Sequence, residues 1–247
     1  MNWFKRNKSP QPELVTTNQF TVQVPKCTGT RYIISDVHGC LKTLVCLVEK
    51  LKLKPEDQLF LLGDYIDRGS DSRGVLDYLI DLQKHYSVFA LKGNHEDDIE
   101  SMVEANNEKL FANYLEAEPD SIVNSDFSVD VKYQHFIANL PYYIELENHF
   151  LVHAGFNFKR QQCFEDTDDM LWIRRWNYDA KKAKNKTIIH GHTVNNLTDI
   201  KRNIARNEKI IPLDNGCFFA GAVGHGNLLC LNLNTNELII QENIENN

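Results

Sequence analysis

DQLFLLGDYIDRG, residues 57–69, runs an unbroken apolar stretch into a turn that carries two carboxylates and an arginine. The stretch is too short for a helix and apolar enough for a strand buried on both faces. The same design recurs along the chain. RYIIS (31–35) leads into Asp36-Val37-His38, SVFALKG (87–93) into Asn94-His95, HFLV (149–152) into His153, and TIIHG (187–191) into His192. In open α/β sheets, ligands gather outside the carboxyl ends of the strands. Folding is therefore expected to bring Asp36, His38, Asp64, Asn94, His153 and His192 to one edge of a sheet. Three His, two Asp and one Asn are too many ligands for one tetrahedral ion, but suit two divalent ions sharing a carboxylate.

Working outward, strand-like and helix-like patterns alternate. Strands are expected near 31–35, 57–62 and 87–92, with helices near 41–52 and 73–84. Leu41, Leu44, Val45, Val48 and Leu51 share one helical face, and Val75, Leu76, Leu79, Ile80 and Leu82 are the apolar positions of the second helix. That βαβαβ order predicts adjacent parallel strands and an α/β fold. Residues 96–140 read as mostly helical, interrupted at Asn106-Asn107 and at Glu118-Pro119-Asp120. Residues 142–147 and 149–153 form a predicted hairpin across Asn148. Further strands are expected at 187–190, 209–214, 227–233 and 236–241. Residues 1–28 read as a peripheral tail, in which Trp3, Phe4, Lys5 and Arg6 offer a weak docking or membrane-touching element. Residues 29–247 read as one catalytic domain.

The totals exclude several classes. The 247 residues carry a net charge of −7, which argues against broad affinity for nucleic-acid polymers. No apolar run is long enough to span a bilayer, and no secretory signal follows Met1. The six cysteines show no Cys-x-x-Cys spacing. Cys46 and Cys230 sit in apolar patterns, so a reduced cytoplasmic setting is the simplest expectation.

Each strand end implies a chemistry. Asp36 and His38 are two apart, so both can reach one ion from an extended exit. Asp64 has two oxygens and can bridge two cations about 3.5–4 Å apart. Arg68 offers a planar fork matched to phosphate oxygens; read blandly, Asp67 and Arg68 are a surface ion pair capping the next helix. Asn94 can ligate through its amide oxygen. His95 then points elsewhere and suits a general acid, with Asp67 orienting its ring. Glu96 reads as a helix N-terminal residue or as a second partner of His95. His192 is the expected ligand of HGHT, while His190 reads as a packed strand histidine or a supporting one. In LWIRR (171–175), Arg174 is expected as the second phosphate fork, and Arg175 is expected to face solvent or a carboxylate.

DVHG, GDYIDRG, GNHE, VHAGF, LWIR and GHT occur in an order that resembles the phosphoprotein phosphatase branch of the metallophosphoesterases, above all its short bacterial and phage serine/threonine phosphatases. LDNGCFFAG (213–221) resembles a late segment of the same family. The resemblance covers about residues 31–233 and implies the calcineurin-like sandwich: two packed mixed β-sheets flanked by helices, with a dinuclear metal centre at the strand ends. It also implies that Asp36, His38 and Asp64 hold one ion and that Asp64, Asn94, His153 and His192 hold the other. Arg68 and Arg174 would bind phosphate, and His95 with Asp67 would deliver a proton. Three departures stand out. Ser35 replaces a usual Gly, Val194-Asn195 follows GHT where a Pro is common, and Asn215 replaces a usual Thr.

The expected function is a metal-dependent phosphomonoester hydrolase, a protein serine/threonine phosphatase using hydroxide shared by two metals for in-line attack, without a Cys or Ser nucleophile. The alternative is a symmetrical diadenosine tetraphosphate hydrolase. A third reading, a non-catalytic phosphate-binding module, would need a missing ligand or acid, and none is missing. The expected cofactors are two divalent metal ions, manganese first, with iron or zinc as substitutes. The expected partner is a phosphorylated protein or peptide, or a dinucleoside polyphosphate, with no nucleic-acid polymer and no membrane. Residues 97–140, with Met102, Phe111, Tyr114, Phe127 and Tyr133, are where substrate recognition is expected, either as base-stacking rings or as core.

Overall fold

The computed structural model describes residues 15–18 and 20–245. In chain order its elements are β1 (Val15–Asn18), β2 (Thr21–Gln23), β3 (Arg31–Ile34), α1 (Leu41–Leu51), β4 (Gln58–Leu61), α2 (Ser72–Leu82), β5 (Ser87–Ala90), α3 (Asn94–Ala105), α4 (Glu108–Ala117) and α5 (Val131–Ala138). Then follow β6 (Tyr143–Glu145), β7 (His149–Val152), α6 (Thr167–Trp172), β8 (Thr187–His190), α7 (Leu197–Ala205), β9 (Ile210–Pro212), β10 (Asn227–Asn232) and β11 (Glu237–Glu242). They build a five-stranded sheet, β11-β10-β3-β4-β5, and a six-stranded sheet, β1-β2-β6-β7-β8-β9.

The apolar runs are strands because both of their faces are buried. Successive residues in a strand point to opposite sides. In and just after β4, Leu59 and Leu61 face the helices, while Phe60 and Leu62 face the other sheet. Ile34 and Ile33 divide in the same way in β3, as do Val88 and Phe89 in β5. Across the seam, Leu151 of β7 and Ile189 of β8 meet the inner residues of the first sheet. Phe150, Val152 and Ile188 point outward into an aromatic cluster with Phe156 and Met170. Phe60 stacks on Phe89 with ring centroids 5.2 Å apart in the layer between the sheets.

β3, β4 and β5 are adjacent and parallel, as the alternation predicts. The hairpin across Asn148 forms as β6 and β7. Asn106 ends α3 in a left-handed conformation at φ 47°, and the Asn107 side chain caps α4 by accepting from the Lys109 N–H at 3.0 Å.

Three features differ from the sequence reading. The strand-end pattern alone put the metal-type residues at the edge of one sheet, whereas β3–β5 belong to one sheet and β7–β8 to the other, the two-sheet arrangement that the resemblance implied. Val15–Asn18 and Thr21–Gln23, read as tail, form β1 and β2, and β2 pairs with β6 between Thr21 and Tyr143. Trp3, Phe4, Lys5 and Arg6 lie outside the described residues. Finally, α6 and α7 carry too few apolar residues to announce themselves; α7 buries only Ile200 and Ile204. Among the described residues no helix is long and apolar enough to cross a membrane.

Candidate active site

The carboxyl ends of β3, β4, β5, β7 and β8 converge where the two sheets meet. Asp64 stands at the centre, buried, with a different cluster at each oxygen. Its Oδ2 lies 3.5 Å from His38 Nε2 and 3.9 Å from His95 Nε2, and its Oδ1 lies 3.4 Å from His153 Nε2. Ligand-type atoms of His38, Asp64 and His95, and of Asp64, His153 and His192, fall within 4.8 Å of one another in each group.

Hydrogen bonding outside the cluster decides what each ring offers inside it. His38 Nδ1 is 2.9 Å from the Ile66 carbonyl, and His153 Nδ1 is 2.9 Å from the Leu62 carbonyl. Each Nδ1 donates its proton there, which leaves a lone pair on Nε2. His153 Nε2 then faces Asn94 Oδ1 at 3.0 Å and His192 Nδ1 at 3.2 Å, while His192 Nδ1 is 2.9 Å from the same Asn94 oxygen. A lone pair aimed at an amide oxygen and a carboxylate is unfavourable unless a cation lies between them. Burial pushes His38 down to about 3, and burial with the neighbouring His153 does the same to His192, so both rings are neutral donors of electron pairs. Asp36 stands outside both three-residue groups. Its Oδ2 accepts from the His192 N–H at 2.8 Å, and its Oδ1 is buried without a partner among the described residues. Burial, then the charges of Asp214 and Asp64, raise the Asp36 carboxyl well above its usual range. An orphaned carboxylate oxygen and opposed lone pairs fit divalent cations held on both sides of Asp64.

The backbone is bent to make this possible. His38, Asp64, Asp67, Arg68 and His192 all adopt positive φ, between 46° and 69°, a region that non-glycine residues enter at a cost and that clusters at functional sites. Two glycines permit the close approaches. A Cβ on Gly93 would meet Asp64 Oδ1 at 2.2 Å, and one on Gly191 would meet Asp36 Oδ1 at 2.0 Å.

Beside the clusters, His95 Nδ1 is 2.6 Å from Asp67 Oδ2, and the Tyr114 hydroxyl donates to Asp67 Oδ1. Burial opposes a charge on His95, but the bond to Asp67 and the Asp64 charge outweigh it and raise the ring to about 9. Arg68 is exposed, donates from NH1 to His38 Nε2 at 3.0 Å, and lies over the Phe218 ring at 4.7 Å. Arg174 is exposed on the other side, and its charge is felt at His192. Arg175 is exposed, as expected, and also lines the same cavity as Arg174. The segment that carries the two arginines is irregular and need not alternate sides.

Several supporting residues escaped the sequence reading. Glu96, completely buried, accepts from Tyr65 N at 2.8 Å, Asp64 N at 2.9 Å and Gly93 N at 3.0 Å, and so ties GDYID to GNHE. Its spacing from Gly93 suits a helix start, which masked this longer reach. Tyr114 is neither a stacking ring nor simple core, because its hydroxyl reaches Asp67 from α4. Met102, Phe111, Tyr133 and Phe127 do join the core. Asn215 donates to the Asn195 and Gly224 carbonyls and accepts from Asn227; these three bonds are beyond the single donor of a Thr. Asp214 is buried close enough for its charge to act on Asp36. His190 packs its ring on Trp176 at 5.6 Å and belongs to neither ligand group.

Comparison with known proteins agrees with this geometry. The profile of the calcineurin-like phosphoesterases matches residues 30–215. A curated relative from Cellvibrio japonicus, named bis(5'-nucleosyl)-tetraphosphatase, symmetrical, is 33% identical over 150 residues, 57% of this chain and 52% of that protein. The chain therefore spans about half the length of that relative. Among solved structures, one provisionally described as a diadenosine tetraphosphatase superposes with a TM-score of 0.62 at 22% identity, covering 90% of this chain and 97% of that one. A protein serine/threonine phosphatase from Saccharomyces cerevisiae superposes with a TM-score of 0.53 at 15% identity, covering 87% and 80%. These two likenesses speak for the fold alone.

Proposed function

The chain belongs to the calcineurin-like phosphoesterases, and from that membership we propose that it is a hydrolase that cleaves dinucleoside tetraphosphates symmetrically. The observation that carries the chemistry is the position of Asp64: one carboxylate facing two ligand clusters, with the His95–Asp67 pair at its side. The substrate reading leans on the name borne by the curated relative.

In this reading Asp36, His38 and Asp64 would hold one divalent cation, and Asp64, Asn94, His153 and His192 would hold a second. Two such ions would supply positive charge to the phosphoryl oxygens and acidify water, so that hydroxide is available near neutral pH. Mixed oxygen and imidazole donors suit manganese, iron or zinc, and manganese is the ion we would supply first. Arg68 and Arg174 grip phosphate oxygens from opposite sides. Water attacks phosphorus in line, the bond from phosphorus to the leaving oxygen breaks, and His95 gives that oxygen its proton. Asp67 orients the His95 ring and stabilises its charged form, and Tyr114 in turn orients Asp67.

The phosphoprotein reading keeps one observation in its favour. Trp172 is exposed beside the His192 ring, and Phe219 is exposed on Phe218 at the other side of the site. Exposed apolar rings flanking a site suit a peptide. A side-by-side assay with manganese separates the two. Diadenosine tetraphosphate turned over with kcat/KM well above that for phosphoserine and phosphothreonine peptides supports the proposal, and the reverse order replaces it with the protein phosphatase.

A further inference from the structure

Arg174 and Arg175 are consecutive, both exposed, and both line one cavity of about 730 Å³. Among the described residues, neither guanidinium meets a carboxylate in an ion pair or a hydrogen bond. Asp179, the acid on the rim, already accepts from the Lys182 N–H at 2.9 Å. The cavity begins where the ligand clusters end, since His190 and Thr193 line it and flank His192 in sequence. Trp176 and Tyr178, both half-buried, also line it. Trp176 is held in place, its ring 5.6 Å from His190 and 6.1 Å from Phe158.

A single phosphate would be satisfied by Arg68 and Arg174. A second unpaired guanidinium further along suits a ligand whose negative charge continues past the first phosphate. Two aromatic side chains in the same lining suit a planar base. The volume lies within the usual range for a small-molecule site, about 300–1,000 Å³. We infer that this cavity is the subsite for one nucleoside diphosphate arm, with Arg175 on the phosphate beyond the one that Arg174 holds and the base against Trp176 and Tyr178. The inference deepens the dinucleotide reading and rests on it for the substrate, but it can be tested separately.

The test uses ADP and inorganic phosphate as competing inhibitors of aryl phosphate hydrolysis, together with calorimetric titration of ADP into the protein without added metal. ADP should inhibit about ten-fold more tightly than phosphate, and Arg175→Ala should remove that advantage while leaving phosphate inhibition unchanged. Arg175→Lys should restore part of it, and the calorimetric affinity should follow the same order. Equal inhibition by ADP and phosphate in the unaltered protein overturns the inference, as does an ADP advantage that survives Arg175→Ala. If diadenosine tetraphosphate is not cleaved but the Arg175-dependent ADP advantage is present, the substrate reading falls and the subsite stands. Cleavage without that advantage removes the subsite and keeps the reading.

Discussion

His95 Nδ1 lies 2.6 Å from Asp67 Oδ2, and the other oxygen of Asp67 is held by the Tyr114 hydroxyl. This bond keeps His95 charged through the neutral range. In the metal-free protein the ring should titrate near 9, against an ordinary 6.5. Removing the partner leaves burial opposed only by the Asp64 charge, so Asp67→Asn should move the midpoint well down from about 9. Because the folded value is the higher one, the pair's contribution to stability is complete below 6.5 and disappears as pH rises through about 9. Histidine NMR of both proteins checks the shift, and an unchanged midpoint would remove the role assigned to Asp67.

The proton that His95 carries matters in proportion to the basicity of the leaving oxygen. Serine departs as an alkoxide, whereas a nucleoside diphosphate departs through a weakly basic phosphate oxygen. His95→Asn should therefore slow a phosphoserine peptide by about 100- to 10,000-fold and diadenosine tetraphosphate by less than about ten-fold. Steady-state kinetics on the two substrates measure the ratio. Equal losses would mean that His95 acts otherwise than as a proton donor.

Glu96 ties three backbone N–H groups with one carboxylate. Glu96→Gln keeps one acceptor oxygen and turns an amide NH₂ toward N–H donors. The change should cost about 2–3 kcal/mol in urea unfolding and weaken manganese binding, because the Asp64 and Asn94 loops lose their common anchor. Full retention of both properties would show that the clamp is dispensable.

Gly191→Ala places a methyl group on the Asp36 carboxylate, 2.0 Å from Oδ1. The fold should survive, since only a loop carries the change, while affinity at the cation site served by Asp36 drops about 10- to 100-fold. Elemental analysis after dialysis should then find close to one metal per chain, against an expected two in the unaltered protein.

Between the sheets, Phe60→Ala removes a ring stacked on Phe89 and buried on all sides. Loss of the ring and the cavity left behind should cost about 3–5 kcal/mol. Urea unfolding with an unchanged m-value checks it.

The parts of the fold readable from sequence were those with short-range signatures. An apolar run ending in a polar turn marks a strand end, so β3, β4, β5, β7 and β8 and the residues that follow them were legible, as were Arg68, His95 and Asp67 in their motifs. What was not legible depends on contacts between distant segments. Tyr114 meets Asp67 only after α4 folds back over the site, and Glu96 reaches Asp64 across 32 positions. The division of the strands between two sheets is invisible because a run buried on both faces looks the same in either.

The position of the site at the seam has a mechanical consequence. Asp36, His38, Asp64 and Asn94 follow strands of one sheet, and His153 and His192 follow strands of the other. Cations shared across that line would act as rivets, fastening two layers that otherwise adhere through side-chain packing and a few hydrogen bonds, such as those from His153 Nδ1 to the Leu62 carbonyl and from the His192 N–H to Asp36. Melting temperature should then climb with free manganese concentration, as for any ligand that binds only the folded state. Chelation would unfasten the sandwich at its catalytic end first, making the intact layer boundary itself a gauge of metal loading.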